Sequence, residues 1–171
     1  MYALSLPLCI GTTDLQHRAV MVPLTCLHAN KDHIHGELAK TYYTQRSCVL
    51  GALIISEATF IAPQVAGYTY VPGIWNEPQI AGWKTGYIPH VPRADLSTDL
   101  RPKITGAVHT NGSYILLQLW VLGRAADPVV INQEDGFDLV APSLISLDKG
   151  GLHSREGEIV PRELTVAKFE K

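Results

Sequence analysis

Three apolar runs, each closing on small or polar residues, constrain this chain more than anything else in it. Val20-Met21-Val22-Pro23-Leu24-Thr25 is β-branched and ends in a hydroxyl, and Leu53-Ile54-Ile55-Ser56-Glu57-Ala58-Thr59 ends in small residues. Leu116-Leu117-Gln118-Leu119-Trp120-Val121-Leu122-Gly123-Arg124 ends with an amide and an indole side by side. Near-continuous apolar runs are what strands covered on both faces require. Spaced by helical segments, they read as an α/β chain, the first three units of a barrel that gathers its chemistry at the strand C-termini. A closed barrel of that kind takes about 250 residues. The chain has 171.

The elements follow from local pattern. Gly11-Thr12-Thr13-Asp14 supplies a turn ahead of a strand at 19–22. A polar, His-rich loop over 26–36 leads to a helix over 37–47, where Leu38, Tyr42, Gln45 and Arg46 fall at helical spacing without Gly or Pro. The second buried strand is expected at 49–56, with Gly51 marking the close approach of a neighbour. Residues 62–75, rich in Pro, Gly and Tyr, read as an irregular loop. Asn76 caps a helix running to about Lys84, helical pattern resumes over 103–110, and Asn111-Gly112 turns into the third buried strand at 113–119. An irregular excursion is expected over 125–160, and Pro161 opens a helix with Thr165 as N-cap.

Bulk properties narrow the function. The chain is 46% hydrophobic and 18% charged, enough to build a core. Its net charge of -2 provides no basic footprint for nucleic acid. No apolar run is long enough for a transmembrane helix. The apolar N-terminus lacks a basic region and meets Pro7 early, so no signal peptide is expected and a cytoplasmic location follows. Cys9, Cys26 and Cys48 form no C-x-x-C pair and are expected as reduced thiols. His28, His33 and His35 share a loop without H-E-x-x-H or C-x-x-C spacing, so they read as solvated histidines and no metal site is expected. Cys26 near His28 lacks an identifiable orienting group for thiol catalysis. The serine-hydrolase, P-loop and dinucleotide glycine motifs are all missing.

Two polar side chains remain. The Thr25 hydroxyl, at the end of a buried strand, must bond local backbone or a ligand carbonyl. Gln118 offers donors and an acceptor suited to the polar rim of a pyrimidine-like ring, or to a buried structural amide. Trp120 reads as core packing or as a flat wall.

Taken together, Leu15 to Thr25, Tyr42-Tyr43-Thr44-Gln45-Arg46, Ser56 to Ile61, Gly67-Tyr68, Pro72-Gly73-Ile74-Trp75, Ala107-Val108-His109 and Gln118 to Pro128 resemble the Old Yellow Enzyme family, the flavin-dependent ene-reductases built on a (β/α)8 TIM barrel, especially its fungal members. The resemblance implies that Pro23, Leu24 and Thr25 lie against FMN, with the Thr25 hydroxyl near the flavin C4 carbonyl. It further implies that Ala58 contributes backbone to the ring, that Gln118 bonds the pyrimidine edge, and that Trp120 and Tyr68 shape the substrate pocket. Implied too are NADPH as reductant and an enone or enal as substrate, while no catalytic residue of the family is matched in this chain.

The departures from the family pattern are as specific. The family's substrate-binding His/Asn or His/His pair, its proton-donating Tyr, the Arg over the flavin and the phosphate-binding loops come from later strands and have no match here. The chain thus reads as a partial FMN-binding barrel domain over 1–171, about three β/α units. Thr85 to Pro102 has no family counterpart: in the family Trp83-Lys84 runs straight into residues matching Lys103-Ile104-Thr105. The stretch reads as an unspliced short intron, which would break a helix that both flanks support, or as a real surface loop, whose entropic cost is modest. Two functions follow from the resemblance, an FMN-dependent NADPH ene-reductase of fungal specialised metabolism, or a truncated, non-catalytic remnant or interaction protein that keeps part of the flavin wall. Oligomeric state is not legible.

Overall fold

The computed structural model describes residues 3–84, 104–147 and 160–164. These fall into two compact units, one of residues 3–59, 70–84 and 104–119, the other of 60–69, 120–147 and 160–164. The Thr85 to Pro102 insertion lies outside the described residues.

The first unit opens with an antiparallel hairpin, β1 (Leu8–Ile10) and β2 (Thr13–Leu15), turned at Gly11 with φ 59°. A three-stranded sheet follows in the order β3 (Val20–Met21), β4 (Leu53–Phe60), β5 (Tyr114–Trp120). β3 and β4 are parallel, with Val20 opposite Leu53 and Met21 opposite Ile54. For β5, Tyr114 N–H donates to Ala52 O and Gln118 N–H donates to Ser56 Oγ, at 2.8 and 3.1 Å. Both links span the same sequence offset, as parallel strands require. Helix α1 (Glu37–Arg46) connects β3 to β4, and α2 (Glu77–Trp83) with α3 (Ile104–Thr110) precedes β5. The chain is therefore α/β with parallel β-α units, and no closed barrel exists among the described residues.

The core of this unit sits between sheet and helices. Ala39 and Tyr43 of α1, Trp83 of α2, and Ile104 and Val108 of α3 bury themselves around Ile54 of β4. Asn76 caps α2, its side-chain oxygen accepting from Gln79 N at 3.0 Å, with Pro78 in the first turn where a missing N–H costs nothing. Thr105 Oγ1 donates to Trp83 O at 2.8 Å. Thr41, Thr44 and Thr110 donate in the same way to carbonyls four residues back. Without 85–102, Thr105 would stand four residues after Trp83.

Several expectations are corrected. The second strand is not 49–56 but Leu53–Phe60. Gly51 adopts φ 69°, donates to Gly112 O at 2.9 Å and accepts from Gln16 N at 3.2 Å, so the chain is still turning there. The first and third strands are not buried on both faces: Val20 and Val22 are exposed, as are Leu116, Leu117 and Leu119. They are the outer members of the sheet, and only β4 has a strand on each side. His33 and His35 are buried rather than solvated. His33 lies 5.2 Å from the Trp75 ring, and His35 meets Trp83 edge-on at 4.3 Å, so aromatic packing displaces water from both.

The second unit packs Ala66, Leu122, Ala126, Ile131, Leu139 and Ala141. The stretch expected as an irregular excursion contains helix α4 (Pro128–Asp135), capped by Asp127 through Val129 N at 2.8 Å and closed by Gly136 at φ 69°. The helix expected from Pro161 is corrected at its start. Arg162–Glu163 forms strand β7, parallel to β6 (Val140–Ala141), with Arg162 N–H on Leu139 O and Leu164 N–H on Ala141 O, each 2.9 Å. Long-range backbone pairing overrides a local helical pattern there. Thr165 and the residues after it lie outside the described residues.

Candidate functional site

Strand polarity puts the C-terminal ends of β3, β4 and β5 at one edge of the sheet. Pro23, Leu24 and Thr25 follow β3 directly. Thr25 and Ala58 each stand four residues past the paired Met21 and Ile54. Gln118 stands near the end of β5, its amide N–H tied to Ser56 Oγ. Ala58 is buried, Pro23 and Gln118 are half-buried, and Leu24 and Thr25 are exposed. Neither the Thr25 hydroxyl nor the Gln118 carboxamide has a hydrogen-bond partner among the described residues. An exposed hydroxyl and a half-buried amide at one sheet edge, beside a small residue, are a donor and acceptor set that fits the carbonyl and N–H rim of a flavin pyrimidine ring.

Tyr68 and Trp120 belong to the second unit. Their ring centroids are 5.9 Å apart, and Trp120 stacks on Phe60 at 5.5 Å with 15° between planes. The Tyr68 hydroxyl donates to Ala125 O at 3.5 Å. The two residues assigned to the substrate pocket are thus in one aromatic group within their unit.

Sequence reasoning passed over a set of polar groups under the Thr25 segment. Glu57 is 2% exposed in the middle of β4. One carboxyl oxygen, Oε2, accepts from Cys26 N at 3.1 Å, and the other, Oε1, lies 3.8 Å from His35 Nε2. The Glu57 N–H donates to the Tyr43 hydroxyl at 2.8 Å. Burial pushes the Glu57 carboxyl up to about 7 against the opposing pull of the Cys26 amide. Burial, with His28 nearby, brings His35 down to about 4. Burial also raises the Tyr43 phenol. The signal available in the sequence was a carboxylate inside an apolar run, where an unpaired charge is costly.

Comparison with known proteins identifies the family. The NADH:flavin oxidoreductase / NADH oxidase family profile matches residues 3–87. The NADP-dependent oxidoreductase lnbE of Aspergillus flavus is 43% identical over 171 residues, covering 100% of this chain and 38% of that protein. The chanoclavine-I aldehyde reductase fgaOx3 of Penicillium roqueforti is 40% identical over 143 residues, 84% of this chain and 34% of that one. The probable inactive reductase easA of Epichloe festucae var. lolii is 40% identical over 144 residues, 84% of this chain and 33% of that one. Among solved structures, the old yellow enzyme homologue from Zymomonas mobilis superposes with a TM-score of 0.75 at 34% identity, covering 99% of this chain and 41% of that one. The chain belongs to the Old Yellow Enzyme / NADH:flavin oxidoreductase family, and its α/β units match the N-terminal part of that family's barrel. It spans about a third to two-fifths of the length of these relatives.

Proposed function

We propose that this chain forms the first wall of an FMN site in an NADPH-dependent ene-reductase acting on α,β-unsaturated carbonyl compounds of fungal specialised metabolism. The observation that carries this is the pair of unpartnered groups, Thr25 hydroxyl and Gln118 carboxamide, at one edge of a parallel sheet. In this reading Pro23 and Leu24 pack along the ring, the Thr25 hydroxyl donates to its C4 carbonyl, Ala58 leaves room for the ring against the β4 backbone, and Gln118 bonds the pyrimidine edge. Trp120 and Tyr68 shape the space for an enone or enal, in keeping with relatives named as aldehyde reductases. With FMN bound, hydride transfer from NADPH to the alkene β-carbon is the cofactor's chemistry, and the protein's part is orientation and electronics.

A non-catalytic role is the second reading, favoured by the relatives named probable inactive reductase or dehydrogenase. One experiment separates them. FMN titration and NADPH oxidation with a simple enone are measured for the 171 residues alone, and for the chain without 85–102 continued to its relatives' length. The ene-reductase reading expects weak or no FMN uptake and no turnover from the first, and both FMN uptake and turnover from the second. An extended protein that binds FMN yet leaves the enone untouched establishes the non-catalytic role. An extended protein that folds and takes up no FMN overturns the flavin assignment.

A further inference from the structure

The residues that hold the Thr25 segment in place are not local to it. Thr25 and Cys26 follow a strand of only two paired residues, and Leu27 beyond them is in the left-handed region at φ 56°, unfavourable for a side chain of its kind. A side-chain tie joins this segment to the sheet, the Cys26 N–H donating to Glu57 Oε2 at 3.1 Å. We propose that Glu57 is a positioning residue: its buried carboxyl, faced by His35, fixes the Thr25-Cys26 segment through the Cys26 amide, and the protonation of that carboxyl sets how firmly the segment is held. The consequence for FMN rests on the flavin reading above, while the clamp itself does not.

The surroundings make this carboxyl the group that responds. His35 approaches Oε1 from the loop before α1, with His28 of the same loop acting on His35. Tyr43 of α1 receives the Glu57 amide proton, and Tyr42 with Arg46 stacked over its ring at 3.5 Å lies on the same helix beside Cys26. No lysine or arginine forms an ion pair with Glu57 among the described residues. The His35 ring nitrogens have no hydrogen-bond partner there either. Losing its proton therefore turns the Cys26 contact into a charge-assisted bond, shorter and stronger than the neutral one. Raising the pH through the carboxyl's range near 7 tightens the clamp.

The test follows the Cys26 backbone amide by NMR in the 15N-labelled full chain as pH is raised, alongside FMN titration by fluorescence quenching of the chain without 85–102 continued to its relatives' length. In the native chain the Cys26 amide resonance moves with a midpoint near 7. Glu57→Gln retains an acceptor for that amide but cannot ionise, so its resonance stays flat while the rest of the spectrum keeps its dispersion. FMN binds the extended protein several-fold more tightly at the alkaline end, and Glu57→Gln abolishes that difference. A native Cys26 amide that does not titrate overturns the proposal without recourse to any variant. An amide that titrates while FMN affinity is the same at both ends overturns the link from clamp to Thr25. An amide that titrates, with an extended protein that folds and binds no FMN at any pH, supports the clamp and overturns the flavin reading alone.

Discussion

β4 and β5 are runs of similar apolar character with opposite fates. Along β4, Leu53, Ile54 and Phe60 are buried, Ile54 wholly so at 0% exposure. Along β5, Leu116 and Leu119 stand 56% and 60% exposed. The difference is neighbours: β4 has a strand on each side and three helices over it, whereas β5 is an outer strand of the sheet. Composition marks a segment as fit for burial, and the sheet order decides whether it is buried. Parallel strands covered on both faces are the rule in α/β folds, so the exposed leucines of β5 form an apolar surface of the sort that promotes association.

Four measurements would break or sharpen this contrast. The largest effect is expected for Ile54→Ala, which opens a cavity among Tyr43, Trp83 and Ile104 and should cost about 2–5 kcal/mol in urea unfolding. A loss no greater than that of a surface substitution would mean β4 is not the core of its unit.

Next comes the polar interior of β4. Glu57 has a folded pKa raised above its ordinary value, so its contribution is greatest below about 4.5 and declines as pH rises to about 7. His35 is lowered, so its contribution is complete above 6.5 and is lost as pH falls to about 4. Between about 4.5 and 6.5 the two slopes oppose and nearly cancel, leaving the native chain's stability flat there. Glu57→Gln removes one slope, so stability of the variant should climb with pH over that window by up to about 1.4 kcal/mol per unit. A flat profile in the variant would show that His35 titrates as it does in the unfolded chain.

Removing 85–102 joins α2 to α3 over β4. Greater helical circular dichroism and a gain of about 1–2 kcal/mol are expected, from loop closure no longer required and helical hydrogen bonds restored. An unchanged helical signal would mean the two segments are separate helices by design. The smallest effect belongs to β5. Leu119→Ser should alter stability by no more than about 0.5 kcal/mol while lowering self-association in sedimentation, and a core-sized loss would show that the strand is covered in solution.

Much of the site's frame was legible in the sequence. The caps at Asn76 and Asp127 satisfy orphan N–H groups within a turn, which is why local reading finds the first and fails at the second only where scattered turn residues obscured the helix behind it. The apolar runs located β3, β4 and β5, and the resemblance singled out Thr25, Ala58 and Gln118 at their ends. Glu57 and His35 were not legible as a pair, because their contact joins segments that nothing in the local pattern connects.

What the sequence by itself determined is therefore the class of elements and their order, since side-chain period, capping chemistry and turn residues act over a few positions. The tertiary structure alone decided that β4 begins at Leu53, that Arg162–Glu163 pairs as a strand, that the leucines of β5 face out, and that a carboxyl and an imidazole meet under the Thr25 segment. Each of these depends on which distant backbone groups pair and which surfaces exclude water, and those energies exist only once the chain has closed on itself.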